Sequence, residues 1–587
     1  RILLTACGLL LGAVVAVSSQ GVPKSEQTAA TASHAEATKW ADETLKTLSL
    51  EQKVAQMVCE QMRGEYVPED SPQFQYWLRL ARDHGIGGFV VYGGTPHDTA
   101  RLLNRLQREA KIPLLISADF EGGPGQQIAG ATEFPANMAL SAIGSAEIAY
   151  EVGKVGAIEG RAIGIHLTYS PVVDIQTQPG NPVLSVRSFG GDLDLLGRMA
   201  GAYVRGYQEN GMLATAKHYP GRGDVELIPG TEFTINRKPA EQVEREDLLA
   251  FKKAIDADVA FIMSEHIAVP SLTNGSDLPA SVEPTLATTW LRDKLGFQGV
   301  LTSDDLWYAK MTARFGAERS GVLAVKAGHD ALLKPADAVK TMAAVVEAVK
   351  TGEISQAQID RSVRRLLYWK ARLNLHRNRF ADESRVSAVV GIAPHRGLVR
   401  TIAERSLTVL VNEGFFPSSA AKVGRILHVV IQKNETEPAA ATVAAKIRDA
   451  FPVVQTLVFR PNVDPRLRDQ ALRAAAEADS VVVSLFNQRT VYRDSGPLRE
   501  ADLTLLRDMI QIRPRTTVVM SYGNPYLAES LQQATAFVVG YGEGGFYGNQ
   551  VAYADAFIRL LKGEVMPQGR LPVNVSARFP MGSGLRF

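Results

Sequence analysis

The chain has 587 residues with 64 Lys or Arg and 62 Asp or Glu, so its formal net charge at pH 7 is only +2. This balance excludes the strongly basic surface that nucleic acids or anionic membranes attract. Hydrophobic residues make up 45% and charged residues 21% of the chain, as in ordinary globular proteins. The length exceeds what one hydrophobic core supports, so two domains are predicted.

The first twenty residues are typical of a secretory signal whose start is truncated. Arg1 precedes the apolar run ILLTACGLLLGAVVAV, which SSQG follows. The run is short for a membrane-spanning helix, and no stop-transfer pattern comes after it. We therefore expect export to the periplasm or the cell exterior, with cleavage near residues 18–20, and no membrane span. Residues 21–35 are rich in Ala, Thr and Ser and predict a disordered leader.

Two cysteines are present, Cys7 and Cys59. Cleavage of the signal would leave Cys59 alone, so no intrachain disulfide is predicted. Helical periodicity starts near Glu36, and Ser49 with Gln52 forms a capping-box pattern ahead of KVAQM. Cys59 continues this apolar helical pattern, and we interpret it as a core residue rather than a nucleophile.

Residues 36–375 alternate apolar runs with amphipathic helical stretches. The predicted strands are 87–93, 113–119, 166–175, 213–218, 259–266, 299–305 and 329–335, and helical patterns at 337–350 and 355–373 close the domain. Nearly all of these runs end in polar or ionisable residues. The alternation predicts an α/β fold of the (β/α)8 TIM-barrel type, with a site at the C-terminal ends of the strands.

A polar stretch without sustained periodicity, residues 376–394, predicts a linker. A second α/β pattern occupies residues 395–587. Its predicted strands are 425–431, 453–459, 480–486, 516–523 and 536–542, with helices between them at, for example, 437–449 and 465–478. The continuous apolar strands indicate a sheet that is covered on both faces.

The stretch LATAKHYPGRGDVELIPG, residues 213–230, runs from a buried strand into a glycine-broken polar loop. Lys217 and His218 stand at the changeover, next to backbone that can approach a ligand closely. Taken alone, these residues favour a plain strand end over a site. Other motifs along the chain change that balance.

KHYPGRGD resembles the K-H-F-P-G-H-G-D signature of glycoside hydrolase family 3, in its β-N-acetylglucosaminidase branch. Further segments match the same family in order: SLEQKVAQM, DFEGG, SPVVDI, NPVLSVRSFG, MSEHI and TSDDLW. The resemblance covers nearly the whole chain after residue 36. It implies a TIM-type barrel followed by a C-terminal α/β-sandwich domain. No cofactor is expected, and no His/Cys cluster has the spacing of metal ligands.

Retaining glycoside hydrolysis needs a carboxylate nucleophile and a second group that donates and then accepts a proton. Asp304 in TSDDL follows a predicted strand and is the candidate nucleophile. The resemblance implies the same role, because the first aspartate of this motif is the family nucleophile. Asp305 is expected to point elsewhere and to cap the strand end.

Four residues match family positions that bind the sugar next to the nucleophile: Asp119, Arg187, Lys217 and His218. Such a set can pair several sugar hydroxyls, because Asp accepts hydrogen bonds while Arg and Lys donate them. The alternative is a structural ion-pair network at the rim of the barrel. Asp174 could support the site or be purely structural, and His266 is expected to be a hydrogen-bonded histidine near the core.

The proton donor of the resembled branch is absent. That branch continues the loop to an Asp-Ser-His triplet, whose histidine is the acid/base, whereas Ile228, Pro229 and Gly230 stand here. Glu226 is the acid/base candidate because of its reach, and Asp224 is the alternative. In the β-glucosidase branch a glutamate of the second domain serves instead, but residues 487–500 show no clear match.

These observations predict an exported, retaining, exo-acting β-glycoside hydrolase of the β-N-acetylhexosaminidase type. Its partner would be a small-molecule or oligosaccharide substrate with a terminal β-linked sugar, with no nucleic acid partner. A β-glucosidase or another family 3 β-glycosidase is the first alternative, and a glycoside phosphorylase is a weaker one. The missing dyad also leaves open a catalytically dead sugar-binding protein. The oligomeric state is not predicted.

Overall fold

The structure is a computed structural model. It describes residues 31–178, 184–223, 225, 233–451, 454–462, 464, 466–487, 498–542 and 549–587. The predicted signal and most of the predicted leader lie outside these ranges. No helix within them is long and apolar enough to cross a membrane.

The first domain is built on a parallel sheet. Its strands and one small accessory pair are β1 (Val58–Arg63), β2 (Gly88–Tyr92), β3 (Leu115–Ala118), β4 (Leu167–Thr168), β5 (Leu213–Tyr219), β6 (Thr234–Ile235), β7 (Phe261–Ser264), β8 (Ile267–Ala268), β9 (Val300–Ser303) and β10 (Leu332–Leu333). The eight-stranded sheet has the order β10-β1-β2-β3-β4-β5-β7-β9, while β6 pairs with β8. A bridge between Thr302 and Ala331 joins β9 to the chain entering β10. The sheet is therefore a nearly closed barrel, as predicted.

Helices follow the barrel strands and surround them. They are His34–Thr47, Leu50–Gln56, Pro72–Arg79, Leu80–His84, Pro96–Glu109, Pro124–Gln126, Asn137–Ile143, Ala146–Ile163, Leu193–Gln208, Ala240–Val243, Glu244–Leu248, Leu249–Asp256, Pro270–Leu272, Leu286–Lys294, Ala309–Phe315, Ala317–Ala327, Ala338–Lys350 and Gln356–Arg372. The predicted capping box is present, because Gln52 N donates to Ser49 Oγ and Ser49 N donates to Gln52 Oε1.

Strand β1 corrects the sequence prediction, which continued a helix through this segment. The helix ends at Gln56, and Cys59 lies in a strand that pairs with Gly88 of β2. The sulfur of Cys59 is 3.7 Å from the hydroxyl oxygens of Ser117 and Tyr169. Burial raises the pKa of this thiol to about 11. Cys59 is thus a packed residue of the barrel rather than a reactive thiolate.

The second domain has a six-stranded sheet between helices. Its strands are β11 (Thr408–Asn412), β12 (Ile426–Gln432), β13 (Val454–Phe459), β14 (Ser480–Phe486), β15 (Thr517–Ser521) and β16 (Ala536–Val539). Their order is β11-β16-β15-β14-β12-β13, and only β11 runs antiparallel to its neighbour. All five predicted strands are present, and the antiparallel edge strand β11 was not predicted.

The helices of this domain are Ala393–Ser406, Ala420–Val423, Pro438–Ala450, Arg466–Glu477, Glu500–Ile512, Pro525–Leu531 and Gln550–Leu561. The segment 376–394, predicted as a linker, contains the short helices Glu383–Arg385 and Val386–Val389.

The two domains contact each other through backbone and side-chain hydrogen bonds. Ala136 N donates to Tyr541 O over 3.1 Å, and Gly191 N donates to Pro572 O over 2.9 Å. Gln176 Nε2 lies 2.6 Å from the hydroxyl of Tyr526. Because Gln176 follows the SPVVDI segment, the second domain adjoins the site end of the barrel.

Candidate active site

Polar side chains collect where the barrel strands end. Asp119 follows β3, Glu265 follows β7 and Asp304 follows β9. Lys217 and His218 lie in the last three residues of β5. Neighbouring parallel strands place their C-terminal ends on the same side of the barrel. Residues nearly two hundred positions apart in sequence therefore face one site.

Two cations of the site are held by one buried carboxylate, Glu121. Arg187 donates two hydrogen bonds to it, at 2.8 and 2.7 Å, and Lys217 Nζ lies 2.7 Å from Glu121 Oε1 and 2.9 Å from Asp119 Oδ1. Burial opposes ionisation of Glu121, but the charges of Arg187 and Lys217 outweigh it and lower its pKa to about 2. The ion-pair network considered from sequence exists, and it presents Asp119 to the site.

Sequence reasoning missed Glu121, although it quoted the DFEGG motif that contains it. A single carboxylate beside Asp119 carried no signal, because its two cationic partners come from distant segments. It is the contacts with Arg187 and Lys217 that identify it.

A cavity of about 650 Å³ lies at the ends of β1 and β2, and Tyr92 and Lys334 are among the residues that line it. The hydroxyl of Tyr92 donates to Asp119 Oδ2 over 3.3 Å, and Lys334 Nζ donates to the same hydroxyl over 3.2 Å. The polar lining residues include Gln61, Arg63, Tyr92, Gln126, Gln127 and Lys334. Such a lining suits a ligand with many hydroxyl groups.

His218 is held from beneath by Asp174, which is fully buried. Asp174 accepts hydrogen bonds from His218 Nδ1 at 2.8 Å, from His218 N at 3.2 Å and from Arg222 N at 2.7 Å. Burial raises the pKa of Asp174 to about 7. Burial, together with nearby Arg and Lys charges, lowers the pKa of His218 well below its ordinary value. The imidazole is therefore neutral at pH 7, and Asp174 is a positioning residue.

Asp304 follows β9 and its backbone N donates to Ser264 O over 2.9 Å. Burial opposes its ionisation, but His266, the backbone N–H of Asp305 and the charges of Arg222 and Lys217 together lower its pKa. Asp304 is therefore ionised at neutral pH, as a nucleophilic carboxylate must be.

Asp305 forms an ion pair with Lys334 at 2.7 Å. Burial and the charge of Asp304 raise the pKa of Asp305 to about 7. The partner of this carboxylate is a lysine from the chain after β10 rather than a local backbone amide of the strand end. His266 has both ring nitrogens bonded, to Ser281 Oγ at 2.7 Å and to Asp305 O at 3.0 Å, as expected for a structural histidine.

Glu265 is a second site carboxylate that sequence reasoning missed. It is 4% exposed and lies 3.0 Å from Arg222 Nη1, while its Oε1 accepts from His266 N at 2.8 Å. A ring nitrogen of His218 and one carboxylate oxygen each of Glu265 and Asp304 all lie within 4.8 Å of one another. These distances would suit a metal ion, but Arg222 already supplies positive charge to Glu265 and would repel a cation. The only sequence signal was an acidic residue at a strand end, in MSEHI.

The predicted acid/base residues Glu226 and Asp224 lie outside the described residues. So does most of the second-domain segment 487–500, of which residues 488–497 are not described. Their roles remain predictions.

Comparison with known proteins agrees with this fold. The family profile "Glycosyl hydrolase family 3 N terminal domain" matches residues 49–368, and "Glycosyl hydrolase family 3 C-terminal domain" matches residues 421–580. A β-N-acetylglucosaminidase/β-glucosidase from Cellulomonas fimi is 30% identical over 404 residues, which are 67% of this chain and 70% of the relative.

Two solved structures have the same architecture over nearly the whole chain. A glycoside hydrolase family 3 β-N-acetylglucosaminidase from Paenibacillus sp. str. FPU-7 is 28% identical with a TM-score of 0.77, covering 90% of this chain and 99% of that one. A β-glucoside phosphorylase is 23% identical with a TM-score of 0.78, covering 92% and 96%, and it attests to the fold alone.

The fold and the strand-end carboxylates define a two-domain barrel glycosidase. The chain belongs to glycosyl hydrolase family 3.

Proposed function

We propose that this glycosidase is a retaining, exo-acting β-glycoside hydrolase that forms a covalent glycosyl-enzyme on Asp304. The observation that carries the proposal is the position of Asp304, ionised at the end of β9 and within 4.8 Å of His218. A carboxylate on a rigid strand end beside hydroxyl-binding groups can attack the anomeric carbon of a bound sugar.

The sugar would be bound by the groups that flank Asp304. Asp119 accepts hydrogen bonds from sugar hydroxyls, Lys217 and Arg187 donate, and the second ring nitrogen of neutral His218 accepts. The fixed ion pairs of Lys217 and Arg187 with Glu121 hold these donors in place before substrate arrives, which lowers the entropy cost of binding.

We prefer an N-acetylhexosaminide as substrate. Support comes from the K-H-x-P-G-x-G-D form of residues 217–224 and from the names of the Cellulomonas fimi and Paenibacillus relatives. A β-glucosidase is the second candidate, because the Cellulomonas fimi relative carries both activities in its name.

Turnover of aryl β-glycosides tests the proposal. We expect the aryl alcohol to be released faster from the N-acetylglucosaminide than from the glucoside, and the rate to be independent of phosphate. NMR should show that the first sugar product has the β configuration. A 2-deoxy-2-fluoro glycoside should add one sugar mass to the peptide that contains Asp304. An absence of turnover on every glycoside, combined with measurable sugar binding, would instead identify a sugar-binding protein, and phosphate-dependent turnover would identify a phosphorylase.

The N-terminal apolar run is the basis for proposing export as well. N-terminal sequencing of protein recovered outside the cytoplasm should find a chain that begins near residues 19–21. A chain that retains Arg1 in that fraction would contradict this proposal.

A further inference from the structure

A retaining glycosidase needs a proton donor, and the expected Asp-Ser-His triplet is absent from the loop after β5. We propose that Glu265, at the end of β7, is the general acid and base of this reaction. The proposal rests on the glycosidase function proposed above and names the second catalytic group of the same site.

The backbone places Glu265 beside the nucleophile. Strands β7 and β9 are neighbours with Ser264 opposite Ser303, and Asp304 N bonds to Ser264 O. Glu265 and Asp304 are therefore the first residues beyond two paired strands. A carboxylate oxygen of each lies within 4.8 Å of the other, close to the separation of about 5–5.5 Å at which a carboxyl pair gives retention.

The surroundings of Glu265 favour its protonated form. The groups that face it are Arg222 and His218 from β5 and its loop, Asp304 from β9, His266 beside it and Tyr308 from the loop after β9. Burial raises the pKa of Glu265, Arg222 lowers it in part, and the charge of Asp304 raises it again. The pKa of Asp304 moves the other way. In a pair of carboxyl groups, a raised pKa indicates the acid and a lowered pKa indicates the nucleophile.

Among the described residues, His218 is another group close to Asp304 that could carry a proton. It is a poor donor, because burial and neighbouring cations lower its pKa and its Nδ1 is already bonded to Asp174. The pair formed by His218 and Asp174 therefore resembles a catalytic dyad in its contacts but lacks the proton that a donor must supply at neutral pH.

The proposed steps balance as follows. Asp304 attacks the anomeric carbon while the carboxylic acid of Glu265 gives its proton to the glycosidic oxygen, and the aglycone leaves as an alcohol. Glu265, now a carboxylate, takes a proton from water, whose oxygen attacks the same carbon and breaks the ester bond to Asp304. The sugar leaves with a new hydroxyl group, and Glu265 is again protonated.

Glu265→Gln keeps the shape and the contact with Arg222 but cannot donate a proton. We expect kcat/KM to fall by about 10²–10⁴-fold on alkyl or phenyl glycosides and by less than about 10-fold on dinitrophenyl glycosides, which need no acid. The alkaline limb of the pH profile should disappear. Glu265→Ala should regain turnover in azide and form a β-glycosyl azide.

Glu226→Gln and His218→Asn, tested identically, are the competing variants. The proposal is overturned if Glu265→Gln affects both substrate types equally and azide does not rescue Glu265→Ala. It is also overturned if Glu226→Gln, rather than Glu265→Gln, loses activity mainly on the substrates with poor leaving groups. Thermal melting of every variant shows whether activity is lost through misfolding. Azide rescue tests the role of Glu265 as acid and base even in a variant of lowered stability. If the wild type turns over glycosides and the fluoro sugar labels Asp304, the proposed function holds, and a negative result for Glu265 overturns this inference alone. If the wild type is inactive, both this inference and the proposed function are overturned.

Discussion

At the scale of single residues, Glu121 organises the charges of the candidate site. It is 3% exposed and pairs with both Arg187 and Lys217. Two buried cations without this carboxylate would be costly, because their desolvation is offset only by close pairing. Glu121 is therefore expected to affect both the stability of the fold and the position of the proposed sugar-binding cations.

We predict that Glu121→Gln lowers stability in a pH-dependent way. The pKa of Glu121 falls from an ordinary 4.5 to about 2 in the folded chain, so its ionisation contributes stability above about pH 4.5 that is lost as the pH falls toward 2. The shift corresponds to roughly 3 kcal/mol at pH 7. Thermal melting at several pH values should show a large gap between wild type and variant at pH 7 that narrows below pH 4. A gap independent of pH would contradict the ion-pair account.

Replacing Asp304 tests the nucleophile. Asp304→Ala should reduce kcat by several orders of magnitude while the protein remains folded, because it removes the carboxylate that would form the glycosyl-enzyme. Asp305→Asn is the matched control. Its side chain pairs with Lys334 and is not the proposed nucleophile, so we expect a loss below about tenfold. Comparable losses in both variants would remove the distinction between the two aspartates.

At the scale of elements, the loop after β5 lies directly on the segment after β4. A Cβ built on Gly223 would lie 1.6 Å from Ile175 O, so only glycine permits this approach. Arg222, the residue before it, bonds through its backbone to Asp174 and through its side chain to Glu265. The close approach of Gly223 therefore positions the arginine that contacts Glu265.

Gly223→Ala should move this loop and reduce kcat/KM by at least about tenfold, with a loss of stability of about 1–3 kcal/mol from overpacking. Gly397→Ala is the control. Gly397 lies in the helix Ala393–Ser406 and an added Cβ would meet only the end of the Arg400 side chain, at 3.7 Å, so alanine should be neutral or stabilising by up to about 1 kcal/mol. Melting curves and steady-state kinetics of both variants test this prediction. An active, stable Gly223→Ala protein would contradict the claim that only glycine permits this contact with Ile175.

At the scale of the whole molecule, the second domain reaches the site through Gln176. Tyr526 contacts Gln176 Nε2, and Ser188 Oγ donates to Gln176 Oε1 over 3.2 Å, next to Arg187. A side chain of the α/β domain thus supports the segment that carries a proposed sugar-binding arginine.

We predict that Tyr526→Phe raises KM a few-fold with little change in kcat, since it loses one hydrogen bond worth about 1 kcal/mol without touching the reacting groups. Tyr150→Phe is the matched control, because its hydroxyl bonds to Glu209 in an exposed contact. Kinetics on one substrate compare them. An unchanged KM in Tyr526→Phe would show that the domain contact does not influence the sugar site.

Local patterns in the sequence determined most of the elements. The strand and helix periods of the barrel and of the second sheet are set by neighbours along the chain, and so are the motifs that identify the family. Asp304, Asp119, Lys217 and His218 were predicted as site residues in this way, because each stands at the end of an apolar run or in a family motif.

Only the tertiary structure decided the remainder. Strand β1 was hidden because its residues continue a helical pattern, and pairing with β2 and β10 overrides that local preference. Glu121 and Glu265 gain their meaning from Arg187, Lys217, Arg222 and Asp304, all distant in sequence. The pKa of a carboxyl group depends on burial and on charges within a few ångströms, and closure of the barrel, rather than sequence spacing, sets those distances.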